Sequence, residues 1–354
     1  MKRGLALALV LVLALSLLAG CGNGGQQSKK IKVGIVFDVG GRGDQSFNDS
    51  AYAGLQKAQQ EFGDKIEASY QEPAKDGSNR ATLVRLLAQQ KYDLIIGVGF
   101  LFSDDMGKIA AEFPDTKFAV VDGWLPKDPL PKNNMVALNF KEEEGSFLVG
   151  AAAALKSKTG KVGFVGGMEG DLIRKFEMGF TAGAKYVNPK ITVISKYIGT
   201  DGSAFNDPVK GKELALAEIE QGADVVYHAS GASGKGVIEA CTEKKVLAIG
   251  VDSDQSLTAS ADQQPYILTS MMKRVDVAVY ETIKSAVDGT FTGGYKVFDL
   301  KANGVGYAMN SFNKNLMTSD VTTKVDELAS KIKNGEIKVP ATKAELDAFV
   351  ANLK

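Results

Sequence analysis

Two short stretches pair an aromatic ring with amide and carboxylate groups: Phe47-Asn48-Asp49 and Ala204-Phe205-Asn206-Asp207, one in each half of the chain. Two facing rings can sandwich a flat heterocycle, and stacking a base on an aromatic side chain contributes about 1–3 kcal/mol. A buried role in the core is the alternative for either ring taken alone, and the matched setting is what favours a planar ligand. Carboxylates recur in comparable places, with Asp38 after IKVGIVF, Asp122 after KFAVV and Asp252 after VLAIG. Each could accept hydrogen bonds from a ligand or cap the helix or turn that follows. Gly231 closes an Ala-Ser-Gly turn after VVYH, and Lys273 follows a strand pattern, either as a surface cation or as a donor to a ligand hydroxyl. No nucleophile with an identifiable base accompanies these groups. The single His, His228, lies inside a strand pattern, where a core or supporting role is expected, and one His with one free Cys cannot build a typical zinc site. Gly231-Ala232-Ser233-Gly234-Lys235-Gly236 lacks both the spacing and the hydroxyl of a phosphate-binding loop. The pattern favours a binder over an enzyme, with no cofactor.

These residues fall where short apolar strands give way to helices. Strand patterns are expected at 31–37, 66–70, 93–98, 117–121 and 136–140, and a second series at 161–165, 192–198, 224–228, 246–249 and 266–269. Helical spacing occupies 49–62, 78–90, 105–113, 142–156, 172–187, 208–221 and 233–244, then 272–288, 321–333 and 343–353. Alternation of this kind predicts βαβ units and parallel sheets, hence an α/β fold of two doubly wound lobes. In such sheets ligands bind beyond the carboxyl ends of the strands, which selects the loops carrying the residues above. The expected division is 31–139 plus about 270–300 for an N-terminal lobe and 140–269 plus about 301–354 for a C-terminal lobe, joined by a hinge of several strands.

Ahead of the folded part, Lys2 and Arg3 precede an apolar stretch too short to span a bilayer, followed by Leu18-Ala19-Gly20-Cys21. The segment 1–20 is therefore expected to be a secretory signal, and Leu18–Cys21 resembles a bacterial lipobox, in which Cys21 receives diacylglycerol. Residues 21–30 then form a lipidated tether at the outer face of the cell membrane. Cys241 would be left without an intramolecular partner, as a small buried residue. The 354 residues carry 42 Lys+Arg against 42 Asp+Glu, so no basic excess attracts nucleic acid.

A lipobox is followed, in order, by KVGIVFDVGGRGDQSFNDSAYAGLQKA, VVDG, EEGSFLVGAAAA, GGMEG and FEMGFTAGAKYVNP, FNDPVKGKELA, ADVVYHASG, GVDSDQ and TSMMKRVD, in a mature chain whose resemblance runs from about Lys30 to Pro340. Together they closely resemble the basic membrane protein family of bacterial lipoproteins, which includes purine nucleoside receptors of ABC importers. The resemblance implies a type I periplasmic-binding-protein fold, a purine nucleoside ligand such as adenosine, guanosine or inosine, and an ABC permease with its ATPase as partners of a monomeric receptor. It also implies ligand contacts at Asp38, Phe47, Asn48, Asp122, Phe205, Gly231, Asp252 and Lys273. The base would lie between Phe47 and Phe205 with Asn48 and Asp122 on its edge. Asp252, Lys273 and Gly231 would hold the ribose, and Asp38 would add a polar contact. Gln45 and Asp171 depart from the family pattern, where Lys and Pro are more usual. A sugar or other small cyclic metabolite on the same fold is the alternative ligand. A nucleoside hydrolase and a surface adhesin are the alternatives in other classes.

Overall fold

The computed structural model describes residues 29–127 and 133–353. The signal segment, Cys21 and most of the tether lie outside these residues. The first sheet contains β1 (Ile31–Val36), β2 (Ile66–Gln71), β3 (Leu94–Val98), β4 (Lys117–Val121), β5 (Met135–Phe140) and β11 (Gly294–Phe298), in the order β11-β5-β4-β3-β1-β2. The second contains β6 (Lys161–Met168), β7 (Thr192–Gly199), β8 (Val225–Ala229), β9 (Leu247–Asp252), β10 (Ile267–Lys273) and β12 (Val305–Tyr307), in the order β12-β10-β9-β8-β6-β7. The two orders are equivalent strand for strand. All pairings are parallel except β10 with β12. This is the expected architecture of two doubly wound α/β lobes. Its central strands are apolar on both faces because helices cover both, as β3 illustrates with every residue buried.

The first lobe carries α1 (Phe47–Phe62), α2 (Arg80–Gln89) and α3 (Ser103–Glu112). The second carries α4 (Glu142–Lys156), α5 (Asp171–Val187), α6 (Pro208–Glu220) and α7 (Gly234–Lys244). Helix α8 (Val275–Val287) packs on α1, whereas α9 (Ser319–Lys333) packs on α4 and α10 (Lys343–Ala351) on α5. The chain thus passes between the sheets at 140–142, 273–275 and 298–305. These segments are tied to one another, since Lys141 N donates to Phe298 O at 3.1 Å and Arg274 N to Gly304 O at 2.9 Å.

Two expectations need correction. The stretch 166–168 continues β6 as strand, where a loop was expected, and the helix expected from 272 begins at Val275 because β10 runs on to Lys273. Strands β11 and β12 were not anticipated. β11 exposes three of its residues and β12 has only three, so neither presents the apolar run of a buried strand.

Helices α4 and α5 are held unusually close by glycine. A Cβ on Gly183 would lie 1.9 Å from the Phe147 carbonyl oxygen, and one on Gly150 would lie 2.1 Å from that of Phe180. The start of α5 lines the cavity described next.

Candidate functional site

One cavity, of about 540 Å³ including its open mouth, lies at the carboxyl ends of strands from both sheets. All eight residues named from the sequence line it: Asp38, Phe47, Asn48, Asp122, Phe205, Gly231, Asp252 and Lys273.

The loop from β1 into α1 supplies the first group. The Asn48 side-chain oxygen accepts from Asp38 N at 2.9 Å, leaving the amide nitrogen available. One Asp38 oxygen accepts from Val39 N at 2.7 Å. Burial pushes the Asp38 carboxyl up to about 6, against the opposing effects of that N–H and Arg80. Helix α1 is started by Asp44, whose carboxylate accepts from the backbone N–H groups of Ser46, Asn48 and Asp49 at 2.8–3.1 Å. The Arg42-Gly43-Asp44 tripeptide is therefore a structural turn with its acid buried.

Asp122 directly follows β4 and Asp252 ends the equivalent strand β9, and both have left-handed backbones, with φ of 61° and 64°. That conformation is uncommon outside glycine, though Asp tolerates it better than most residues, and it turns the carboxylate off the strand axis. Asp122 Oδ2 accepts from Lys273 Nζ at 2.5 Å, while its Oδ1 is buried with no protein partner. Burial raises the Asp122 carboxyl to about 6, opposed mainly by Lys273. Asp252 Oδ2 accepts from Ser46 Oγ at 2.5 Å, and burial raises its carboxyl to about 7.

Lys273 ends β10 and is 1% exposed. Burial alone would lower its pKa, but Asp122, Glu142 and Asp252 together raise it, so it is charged. Glu142, in the first turn of α4, lies 3.3 Å from Lys273 Nζ and 3.2 Å from Lys175 Nζ on α5. The ammonium also lies 5.1 Å from the ring centres of Phe47 and Phe140 and 5.4 Å from that of Phe176. Such placement over ring faces stabilises a buried cation.

Phe205 closes a single turn after β7. A Cβ on Gly167 would meet its ring at 2.4 Å, so β6 must be bare of side chain there. Phe100, in the turn after β3, meets Phe205 edge-on across the two lobes, with centroids 6.4 Å apart and planes at 77°. Gly231 has φ 55°. Behind it, His228 pairs its Nε2 with Gln255 Oε1 at 2.8 Å and its Nδ1 with Ser230 Oγ at 3.3 Å. Burial pushes the imidazole down to about 4, so it is neutral and supports the turn. Cys241 is buried and burial pushes its thiol up.

The sequence reasoning missed Phe100 and the α5 residues Leu172, Ile173 and Phe176, which also line the cavity. Phe100 was available from the strand-end rule, because it follows β3. The α5 residues carry the i, i+1, i+4 spacing of one helix face but look like ordinary core. Trp124, in a loop singled out beside Asp122, does not line the cavity. It is 42% exposed and donates through Nε1 to Asp104 at 2.9 Å. Among the described residues no group of acids, His and Cys could hold a metal ion, and no helix is long and apolar enough to cross a membrane.

Two α/β lobes enclosing a polar, aromatic-walled cavity define a solute-binding protein. The chain belongs to the Bmp family, described as ABC transporter substrate-binding protein PnrA-like, whose model matches residues 31–343. Its relatives include an uncharacterized lipoprotein of Pyrococcus abyssi, 36% identical over 100% of this chain and 96% of the other. Basic membrane protein A of Borreliella burgdorferi is 36% identical over 93% of each chain. Among solved structures, a solute-binding protein of an ABC transporter system from Aeropyrum pernix K1 matches with a TM-score of 0.76 and 30% identity, over 91% of this chain and 97% of that one. The protein is thus a non-catalytic, extracytoplasmic substrate-binding component, with a small-molecule ligand and a permease and ATPase as its partners.

Proposed function

We propose that the protein captures purine nucleosides, with adenosine, guanosine and inosine as candidates, and delivers them to its permease. The observation that carries this reading is one cavity lined by Phe47 and Phe205 and by three buried carboxylates, Asp38, Asp122 and Asp252. The rings suit a flat base. The carboxylates are acceptors that suit N–H and O–H donors, and Asp122 Oδ1 has no protein donor to satisfy it. A buried acceptor left unpaired costs about 1–3 kcal/mol, so a ligand that supplies a donor there gains over one that does not. Free bases, lacking hydroxyls for Asp252 and Gly231, bind more weakly than ribonucleosides. Nucleotides bind poorly, because the phosphate would meet several carboxylates and one already-paired lysine. The chain acts as a monomer held at the outer face of the cell membrane by diacylglycerol on Cys21.

The test is a thermal-shift panel of nucleosides, bases, nucleotides and sugars on protein unfolded and refolded to strip ligand. A ligand at a hundred times its Kd stabilises by about 2.7 kcal/mol. Selective stabilisation by purine nucleosides is expected. A response to a sugar alone would replace the nucleoside with another ligand on the same fold. Loss of membrane association on Cys21→Ser is the expected result for the anchor.

A further inference from the structure

The loop between β1 and α1 joins the two lobes as well as lining the cavity. Asp44 fixes it to the start of α1 through three backbone N–H groups. From that anchored position it reaches the second lobe repeatedly. Lys235 Nζ donates to Gly43 O, Gln45 Nε2 donates to Thr258 O at 3.3 Å, and Ser253 Oγ donates to Ser46 O at 3.2 Å. These contacts are exposed or half-buried. Ser46 is different, being fully buried, and its hydroxyl ends on a carboxylate that lines the cavity.

Asp252 stands on a left-handed backbone at the end of β9. Lys273, whose charge acts on Asp252, makes its hydrogen bond to Asp122 instead. The donor that holds Asp252 is the Ser46 hydroxyl, which belongs to the opposite lobe. One carboxylate oxygen is thereby occupied and oriented, and the other is left for a ligand hydroxyl. Neighbouring residues of the same loop, Phe47 and Asn48, line the cavity directly. The ring, the amide and the donor to Asp252 thus stand on three successive residues of one anchored loop.

We propose that Ser46 is a positioning residue for ligand binding: its hydroxyl, carried by the first lobe, aims the Asp252 carboxylate of the second at a ligand hydroxyl when the lobes come together. The inference rests on reading the cavity as the ligand site. Ser46 acts through Asp252, so its effect vanishes when Asp252 can no longer be aimed. It also acts after encounter, so its loss speeds dissociation and leaves association nearly unchanged.

The test uses the full chain in detergent, stripped of ligand, with adenosine, guanosine and inosine as probes and dissociation followed by displacement with a fluorescent nucleoside analogue. Ser46→Ala is expected to raise koff about tenfold to a hundredfold, the size of a lost hydrogen bond to a charged group. The kon should stay within about threefold, because encounter precedes the contact. In an Asp252→Asn background the same change should have little further effect, a non-additivity diagnostic of residues in contact. A koff equal to that of the unaltered protein, or the same factor in both backgrounds, would overturn the proposal. Hydrogen exchange on the unliganded chain separates this from the nucleoside reading. Faster exchange at amides 252–258 in Ser46→Ala supports the bridge even if no nucleoside binds, in which case the ligand assignment alone falls. Unchanged exchange there contradicts the bridge.

Discussion

Asp122 and Asp252 stand at the carboxyl ends of equivalent strands in the two lobes, each with a left-handed backbone. Their surroundings differ. Asp122 is compensated by a chain of charges that runs through Lys273 and Glu142 to Lys175, at the segments where the polypeptide passes between the lobes. Asp252 takes its hydrogen bond from one neutral hydroxyl on the other side of the cleft, and Lys273 acts on it through charge alone. The two Phe residues show the converse. Their local sequences match, yet Phe47 follows β1 whereas Phe205 follows β7, the counterpart of β2. Equivalent backbone positions have thus acquired different chemistry, and matching chemistry has come from different positions. One acid is tied into charges beside the crossover segments, and the other is tied to a loop of the opposite lobe.

The largest effect expected is on Lys273→Met, which leaves Asp122 and Glu142 without their shared cation. Breaking a buried ion pair from one side costs about 3–5 kcal/mol, so thermal or urea unfolding should register a loss of that order. A loss below about 1 kcal/mol would remove the distinction between the two acids. Asp252→Asn should behave oppositely, holding stability while weakening nucleoside affinity by about tenfold to a hundredfold in calorimetry. Phe47→Ala and Phe205→Ala should each weaken binding by about 1–3 kcal/mol despite their unequal positions in the folds. A large effect of one with none of the other would end the sandwich geometry.

A smaller effect concerns pH. Burial raises the folded-state values to about 6 for Asp38 and Asp122 and about 7 for Asp252, above the ordinary carboxylate value. Between about pH 4 and 7 the folded protein therefore binds more protons at these groups than the unfolded chain does. Their contribution to stability is fully present below the unfolded value and declines as pH rises through that window. Ligand affinity should run the other way and strengthen toward pH 7, since ionised carboxylates are the better acceptors. Denaturant midpoints and calorimetric titrations across this range check both signs, and Asp252→Asn should flatten the upper part of each profile. The smallest effect is on Trp124→Phe, whose exposed ring bonds to Asp104 outside the cavity and whose loss should leave nucleoside affinity unchanged in calorimetry.

Much of this arrangement was legible in the sequence because its signals are local. Buried strands flanked by turns and helices of ordinary length identify βαβ units, and the strand-end rule then selects Asp38, Asp122, Gly231 and Asp252 without knowledge of the ligand. What escaped depends on contacts distant in the chain. Nothing near Glu142 announces that it bridges Lys175 and Lys273, and nothing near Ser46 announces that its hydroxyl donates a hydrogen bond to Asp252. Phe176 looks like core because its helix is amphipathic, and only the close packing of α4 on α5 turns that face toward the cavity. The edge strands β11 and β12 were lost for the related reason that partners in the sheet, and not their own residues, make them strands.

The central claim is that the cavity takes a flat base between Phe47 and Phe205 and a hydroxylated ring at its carboxylates. Calorimetric titration of the refolded protein with guanosine, guanine and ribose, repeated on the Phe47→Ala/Phe205→Ala double variant, tests it most directly. The account predicts tight binding of guanosine, weak binding of guanine, none of ribose, and loss of guanosine binding in the double variant. Tight binding of ribose, or guanosine binding that survives removal of both rings, would contradict it.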